Sequence, residues 1–204
     1  MIKIDFFEVF RCFRLRYYRS RIKNNKDLTI ICNNCLGGVL YHNFGMRFCS
    51  PFVNLMIPTS HYIELLVKIN KIADYEIIDI TPAGNKYPIG LLNYKWELHF
   101  MHYKTYDEAY RKWKERCQRI DFESLYVVLV ETHSARYSDL YAFDKLCIKN
   151  KIMLTSKPYP EFKCAFPIKG FDGVNLNGEI LWPSNRWGAC KYDQVDWLGF
   201  LNLR

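Results

Sequence analysis

Apolar residues recur at helical spacing over residues 4–23, where Phe6, Phe10, Phe13 and Tyr17 line one side with Val9 beside them. Arg11, Arg14, Arg19 and Arg21 fall mostly on other faces, which predicts a basic amphipathic helix. After a polar link, Asn24-Asn25-Lys26-Asp27, an apolar run from Leu28 to Ile31 ends in Cys32-Asn33-Asn34-Cys35-Leu36-Gly37-Gly38. A run that short reads as a buried strand. The Asn and Gly residues after it read as a tight turn, with a short helix over 38–44 and a break at Gly45. Cys49 to Ile57, bounded by Pro51 and Pro58, reads as extended.

Further along, a helix is expected from Thr59 or Ser60 to about residue 72, with Ile63, Leu66, Val67 and Asn70 on one side. Glu76–Ile80 reads as a strand, and Tyr87–Leu92 as a short strand or turn. Strict alternation over Trp96–Tyr103 predicts a strand with Trp96, Leu98, Phe100 and His102 on one face and Glu97, His99, Met101 and Tyr103 on the other. Thr105 and Glu108 form a capping-box pattern that opens a helix with Ala109, Trp113, Arg116 and Cys117 near one stripe. Leu125–Val130 predicts a central strand, residues 138–147 a helix with Leu140, Phe143, Leu146 and Cys147 inward, and Lys151–Thr155 another strand. Lys157-Pro158-Tyr159-Pro160-Glu161 breaks the pattern, and the tail from Phe166 reads as loop up to a small helix near Val195–Leu198.

Strands alternating with helices imply an α/β class: one three-layer α/β/α domain with a mixed, mostly parallel sheet. The expected organisation is an N-terminal helical segment over residues 1–26 and a single domain over 27–204. Half of the chain is hydrophobic and 17% is aromatic, enough for one sizeable core. No apolar run approaches bilayer-spanning length, and the first residues lack a secretory-signal pattern, so a cytoplasmic protein is expected.

Charge changes this picture at one end. The net charge is +8, yet residues 1–26 carry eight basic side chains against Asp5 and Glu8. The basicity therefore belongs to the N-terminal helix, and no broad nucleic-acid surface is implied. An anionic membrane surface engaged through residues 4–23 is one expectation, with the protein peripheral at the inner face of the cell membrane. The competing reading is a helix packed on its own domain or on a partner subunit, with a solvated basic face.

The candidate chemistry lies where the first strand hands over to a helix, the usual place for a ligand in an open α/β sheet. Cys35 is the candidate nucleophile, activated by the helix start and by a base. His102, at the end of its strand, is the candidate base, with Glu131 or Asp79 to orient it. Amides near Gly37 and Gly38 would form an oxyanion site and Asn33 or Asn34 would donate hydrogen bonds. Tyr41, His99 and Lys157 complete the candidate substrate-binding set. The competing reading makes Cys35 a small packing residue and the histidines structural.

Cys32 and Cys35 form a Cys-x-x-Cys, but no second pair stands near in sequence to complete a zinc site, and the residues between them do not support a redox pair. His99 and His102 lack the helical i,i+4 spacing of a metal pair. No metal and no cofactor is expected. Trp113 with Arg116 and Arg119 would suit a sugar or phosphate, against the commoner case of a core Trp beside solvated arginines.

The ordered set Cys32-Asn-Asn-Cys-Leu-Gly-Gly38 with Tyr41, Ser50-Pro-Phe-Val53, Tyr87-Pro-Ile-Gly-Leu91, His99-Phe-Met-His-Tyr-Lys104 with Glu108-Ala109 and Trp113, and Lys157-Pro-Tyr-Pro160 resembles a bacterial exopolysaccharide-biosynthesis family, domain of unknown function 1919. The resemblance runs from about Asp27 to Trp197-Leu198 and leaves the N-terminal helix outside. The family pattern usually has Ser where this chain has Cys32 and Trp where it has Leu36. The resemblance implies a three-layer α/β/α fold and a capsule, exopolysaccharide or O-antigen context, without a reaction. The leading expectation is an enzyme that builds or modifies a cell-surface polysaccharide from a saccharide or lipid-linked saccharide, by acyl transfer or hydrolysis through Cys35. The alternatives are a sugar or phosphosugar transferase without Cys chemistry and a carbohydrate-binding or assembly protein.

Overall fold

The computed structural model describes residues 6–21, 27–171, 176 and 178–201. Residues 4, 5, 22 and 23 of the expected first helix and the link at 24–26 lie outside them. In chain order the elements are α1 (Phe6–Arg21), β1 (Thr29–Cys32), α2 (Leu36–Phe44), α3 (Thr59–Leu66), β2 (Ile77–Asp79), β3 (Ile89–Leu92), β4 (Trp96–His99), α4 (Tyr106–Cys117), β5 (Leu125–Val130), α5 (Tyr137–Lys145), β6 (Lys151–Thr155), β7 (Ala165–Pro167) and α6 (Trp197–Phe200). Single 3-10 turns lie at Ile69–Lys71, Glu179–Leu181 and Lys191–Gln194.

Two sheets form where one mixed sheet was expected. The central one is wholly parallel, in the order β1-β5-β6-β7, and the antiparallel strands make a separate sheet, β2-β3-β4. The parallel sheet is covered on both faces, which is why its strands are continuous apolar runs rather than alternating ones. Ile30, Cys32, Val128, Val130 and Leu154 face a layer made by α2 and the C-terminal segment, including Leu36, Leu40, Trp197 and Leu198. Ile31, Val127, Leu129 and Met153 face the opposite layer, where α3, α4 and α5 supply Ile63, Trp113, Leu140 and Phe143. The antiparallel sheet adds Trp96 and Leu98 to that second core.

β1 is an outer strand, so its free edge needs partners. The Tyr41 hydroxyl supplies them: it accepts from the Ile30 amide and donates to the Leu28 carbonyl, both at 2.8 Å. The close fit of α2 on β1 depends on small residues. A Cβ on Gly37 would lie 3.0 Å from Cys32 Cβ, and one on Gly38 would lie 3.0 Å from Asn54 Oδ1.

Several element boundaries move. α2 begins at Leu36, and the third expected helix closes at Leu66, leaving Val67 exposed. The strand expected over 96–103 ends at His99, because the chain turns there: Met101 N donates to the His99 carbonyl and Tyr103 N to the Phe100 carbonyl. The turn reverses the phase of the alternation, so Tyr103 is buried and His102 exposed. Cys147, expected inward, is exposed. Ala165–Pro167 adds a parallel edge strand in what read as loop, and Pro is tolerated there at its outer end.

The first helix docks opposite to its hydrophobic pattern. Arg11 is its buried side chain, while Phe6, Val9, Phe13 and Tyr17 are exposed. The Arg11 guanidinium pairs with Asp193 and donates to the Tyr192 hydroxyl and the Gly188 carbonyl. Arg14 approaches the same carboxylate at 3.7 Å, and Arg19 donates to the carbonyls of His42 and Asn43 at the C-terminal end of α2. Cations are favoured at that end of a helix.

Candidate functional site

The turn between β1 and α2 is built for packing. Asn33 is fully buried, and its side chain pairs with both backbone groups of Val130, Nδ2 to the carbonyl at 2.9 Å and the amide to Oδ1 at 2.8 Å. The Asn33 carbonyl also accepts from Ile57 N at 2.9 Å. Asn34 Oδ1 accepts from Leu36 N, so the helix start is closed by the turn itself. The Cys32 thiol donates to Asn34 Oδ1 at 3.2 Å, and burial pushes that thiol up to about 12. Gly37, Gly38 and Tyr41 are buried in this packing, and the Asn33 and Tyr41 side chains expected to contact substrate are bonded to backbone groups of the fold itself.

Cys35 is half-buried at the N-cap of α2. Its sulfur donates to the Leu55 carbonyl at 3.9 Å, and burial pushes its thiol up rather than down. His102 is exposed in the turn after β4 and hydrogen-bonds nothing among the described residues. His99 Nε2 instead lies 3.3 Å from Glu97 Oε2, with its ring edge-on to Tyr87. Asp79 accepts from Thr81. Among the described residues no hydrogen bond joins the Cys35 sulfur to His99, His102, Asp79 or Glu131. The Trp113 stripe is core as well. Trp113 is buried, Arg116 is buried rather than solvated, and Arg116 donates to the Tyr103 hydroxyl at 2.6 Å.

A different constellation forms at the carboxyl ends of β5 and β6. These strands are neighbours, so the residues that follow them converge. Glu131, directly after β5, accepts from Ser156 N at 2.6 Å and Ser156 Oγ at 2.9 Å through Oε2, and from the Tyr159 hydroxyl at 3.1 Å through Oε1. That carboxylate locks the 156–160 loop to the end of β5. Burial, then the Glu131 charge, pushes the Tyr159 phenol up to about 12. Beside it, the hydroxyls of Thr59, Thr132 and Ser134 form a chain with spacings of 2.9 and 3.0 Å, which fixes the start of α3 to the same edge.

Exposed groups stand on this rigid base. His133, Ser134 and Lys157 are all exposed. The Thr155 hydroxyl donates to the Lys157 carbonyl at 2.8 Å, and the Lys157 ammonium lies 5.3 Å from the Tyr159 ring centre. Aromatic rings continue the surface: Tyr159 stacks on Phe162 at 5.4 Å, Tyr137 lies 5.3 Å from Phe162, and Tyr137 and Tyr141 are exposed at the start of α5. Of the sequence-predicted set, Glu131 and Lys157 belong here. Tyr159 comes with the Lys157-Pro-Tyr-Pro160 motif of the resemblance, while His133, Ser134, Ser156 and Tyr137 enter only with the structure, although Glu131-Thr-His-Ser134 directly after a central strand and Tyr137 with Tyr141 at helical spacing are signals present in the chain.

Among the described residues no group of three His, Cys, Asp or Glu side chains could hold a metal ion, and no helix is long and apolar enough to cross a membrane. A cavity of about 600 Å³ lies elsewhere, between α1 and the C-terminal segment, with Arg14, Tyr18, Asp193 and Trp197 in its wall and the exposed side chains of Tyr17 and Arg21 also lining it. None of the strand-end residues lines it.

A family model described as Domain of unknown function (DUF1919) matches residues 7–202. The match takes in α1, which the sequence resemblance left outside. A protein of Haemophilus influenzae (strain ATCC 51907 / DSM 11121 / KW20 / Rd), described as an uncharacterized protein, is 35% identical over 183 residues, covering 90% of this chain and 88% of the relative. The chain belongs to the family of the domain of unknown function DUF1919.

Proposed function

We propose that this protein is a transferase of bacterial cell-surface polysaccharide biosynthesis that takes a sugar or phosphosugar at the carboxyl edge of β5 and β6, without cysteine chemistry. The observation that supports this reading most is the pairing of an aromatic platform with polar groups on one rigid base, through the Tyr159 hydroxyl on Glu131. Sugars present apolar C–H faces and a rim of hydroxyls, so a saccharide site needs both kinds of surface. In this reading Tyr137 and Tyr159 stack on the sugar, and Ser134 and His133 meet its hydroxyls. His133 is the group suited to move a proton, and Lys157 meets a phosphate as a point charge. Glu131 is a positioning residue, because both of its oxygens are taken by the loop it holds.

Acyl transfer through Cys35 has less support. A thiol nucleophile needs a lowered pKa or an adjacent base, whereas burial raises the Cys35 thiol and its hydrogen bond goes to the Leu55 carbonyl. The two readings separate in one experiment. The gene is deleted in its bacterium, the surface polysaccharide is examined by linkage and mass analysis, and variants are supplied in trans. The expected result is a missing or altered polysaccharide that wild type and Cys35→Ser restore, and that a His133→Ala/Tyr137→Ala double variant does not restore although it melts within a few degrees of wild type. An unchanged polysaccharide on deletion, or restoration by the double variant, overturns the proposal. Failure of Cys35→Ser to restore reinstates the thiol mechanism.

A further inference from the structure

The outward face of α1 has a composition that folding alone does not explain. Helices in globular proteins bury their apolar stripe. Here Phe6 is 68% exposed, Phe13 62% and Tyr17 53%, with exposed Val9 between them. The spacing of three, four and four residues sets these side chains in one row along the helix. The row is exposed because the opposite face is committed. Arg11 is inserted between Asp193, Tyr192 and the Gly188 carbonyl, and Arg19 is bound to the end of α2. The helix therefore cannot roll its aromatics inward without stranding the Asp193 side chain, which is 1% exposed.

The aromatic row extends onto residues 183–190, a hairpin closed by the antiparallel bridge Pro183–Cys190 that holds α1 through the Gly188 carbonyl. Phe10 meets Trp187 edge-on at 4.8 Å, and Trp187 is 55% exposed. Cations border this patch. Arg21 lies over Tyr17 at 5.6 Å, Arg186 over Trp187 at 5.1 Å, and Arg16 is exposed beside Phe13 and Tyr17 with no ion pair among the described residues. Rings of Phe, Tyr and Trp bordered by arginine match the headgroup zone of a bilayer, where rings bury and guanidiniums meet phosphate. At 16 residues and with this many charges, α1 is not a spanning helix.

We infer that α1 lies flat on an anionic lipid surface, with Phe6, Val9, Phe13, Tyr17 and Trp187 inserted and Arg16, Arg21 and Arg186 on lipid phosphates. The positive charge of the N-terminal segment selects acidic headgroups over neutral lipid or a second copy of this cationic chain. This inference stands apart from the catalytic reading, since it uses none of the strand-end residues.

The test is co-sedimentation of the full chain with vesicles of phosphatidylcholine alone or containing about 30% phosphatidylglycerol, an anionic content that sets up a negative surface potential. Three proteins are compared: wild type, Phe13→Ser/Tyr17→Ser and Arg16→Glu/Arg21→Glu. The substituted side chains are exposed, and a circular dichroism melt checks that the fold is kept. Point variants are preferred to removing α1, because removal would leave Asp193 buried without its arginine.

Wild type is expected to bind the anionic vesicles, to bind neutral ones weakly, and to be released by salt. Each double variant is expected to partition at least about thirtyfold less, since one loses two inserted rings and the other reverses two charges. Failure of wild type to bind anionic vesicles, or binding by either double variant as strong as that of wild type, overturns the inference. So does a concentration-dependent dimer in sedimentation equilibrium that Phe13→Ser/Tyr17→Ser abolishes, since a second copy would then be the occupant.

Discussion

The Asn33 side chain does at the end of β1 what a further residue of the strand would do. It offers Val130 one donor and one acceptor, and so carries the β1–β5 ladder past Cys32 while its own backbone turns toward α2. A hydrophobic side chain cannot do this, and an alanine would leave two buried backbone groups without partners. Asn33→Ala should therefore lower stability by about 2–6 kcal/mol, from roughly 1–3 kcal/mol for each of the two unsatisfied groups, in urea unfolding followed by circular dichroism. A loss below about 0.5 kcal/mol, the size of an ordinary surface change, would mean that water replaces the amide at no cost. Tyr41 and Asn34 act in the same local way, as partners for backbone groups. Residue types that suggest a reactive turn can therefore have structural work alone.

At the scale of elements, the attachment of α1 rests on a backbone-to-backbone contact. Gly188 has a φ of +71° and sits against the first turns of the helix. A Cβ there would lie 2.3 Å from the Arg11 nitrogen and 2.7 Å from the Phe10 carbonyl carbon. Neither backbone atom can swing aside as a flexible side chain would. Gly188→Ala should push the hairpin off the helix and weaken the Arg11–Asp193 pair at once, at a cost of about 2 kcal/mol or more. Hydrogen exchange reads this directly: amides of residues 10–21 should exchange faster in the variant while those of β5 keep their protection. Unchanged protection along α1 would show that the Arg11 contacts hold the helix without the glycine. β5 is the opposite kind of element, since its six residues lie between two cores and need no special residue to place them.

For the whole molecule, burial of ionisable groups sets the response to alkali. Burial raises the Cys32 and Cys117 thiols to about 12, from an ordinary value of 9.0. In the unfolded chain these thiols lose their protons near the ordinary value, while the folded chain keeps them. Between about pH 9 and pH 12 the unfolded state thus binds fewer protons, so stability falls as pH rises through that window. Below the ordinary value both states are protonated and this contribution is fully present. Urea unfolding from neutral pH upward should show the decline, and Cys32→Ser, which removes a titrating group, should make it shallower. A decline just as steep in Cys32→Ser would place the effect on other groups.

The chain's own pattern determined the central strands, the α/β class, the helix with Trp113 inward and the cap at Thr105, because each depends on neighbours a few residues away and on burial of apolar runs. Only tertiary structure decided the rest. The separation of β2–β4 into a second sheet depends on pairings between distant strands. The fate of the Cys35 turn depends on Val130 and Leu55, which are far along the chain. Burial of Arg11 in place of the aromatic stripe depends on Asp193, some 180 residues away, and no periodicity within α1 contains that partner. The convergence of Glu131 with Ser156 and Tyr159 follows from β5 and β6 being neighbours. Local propensity acts along the chain; a site is assembled across it, where strand order alone sets which side chains meet.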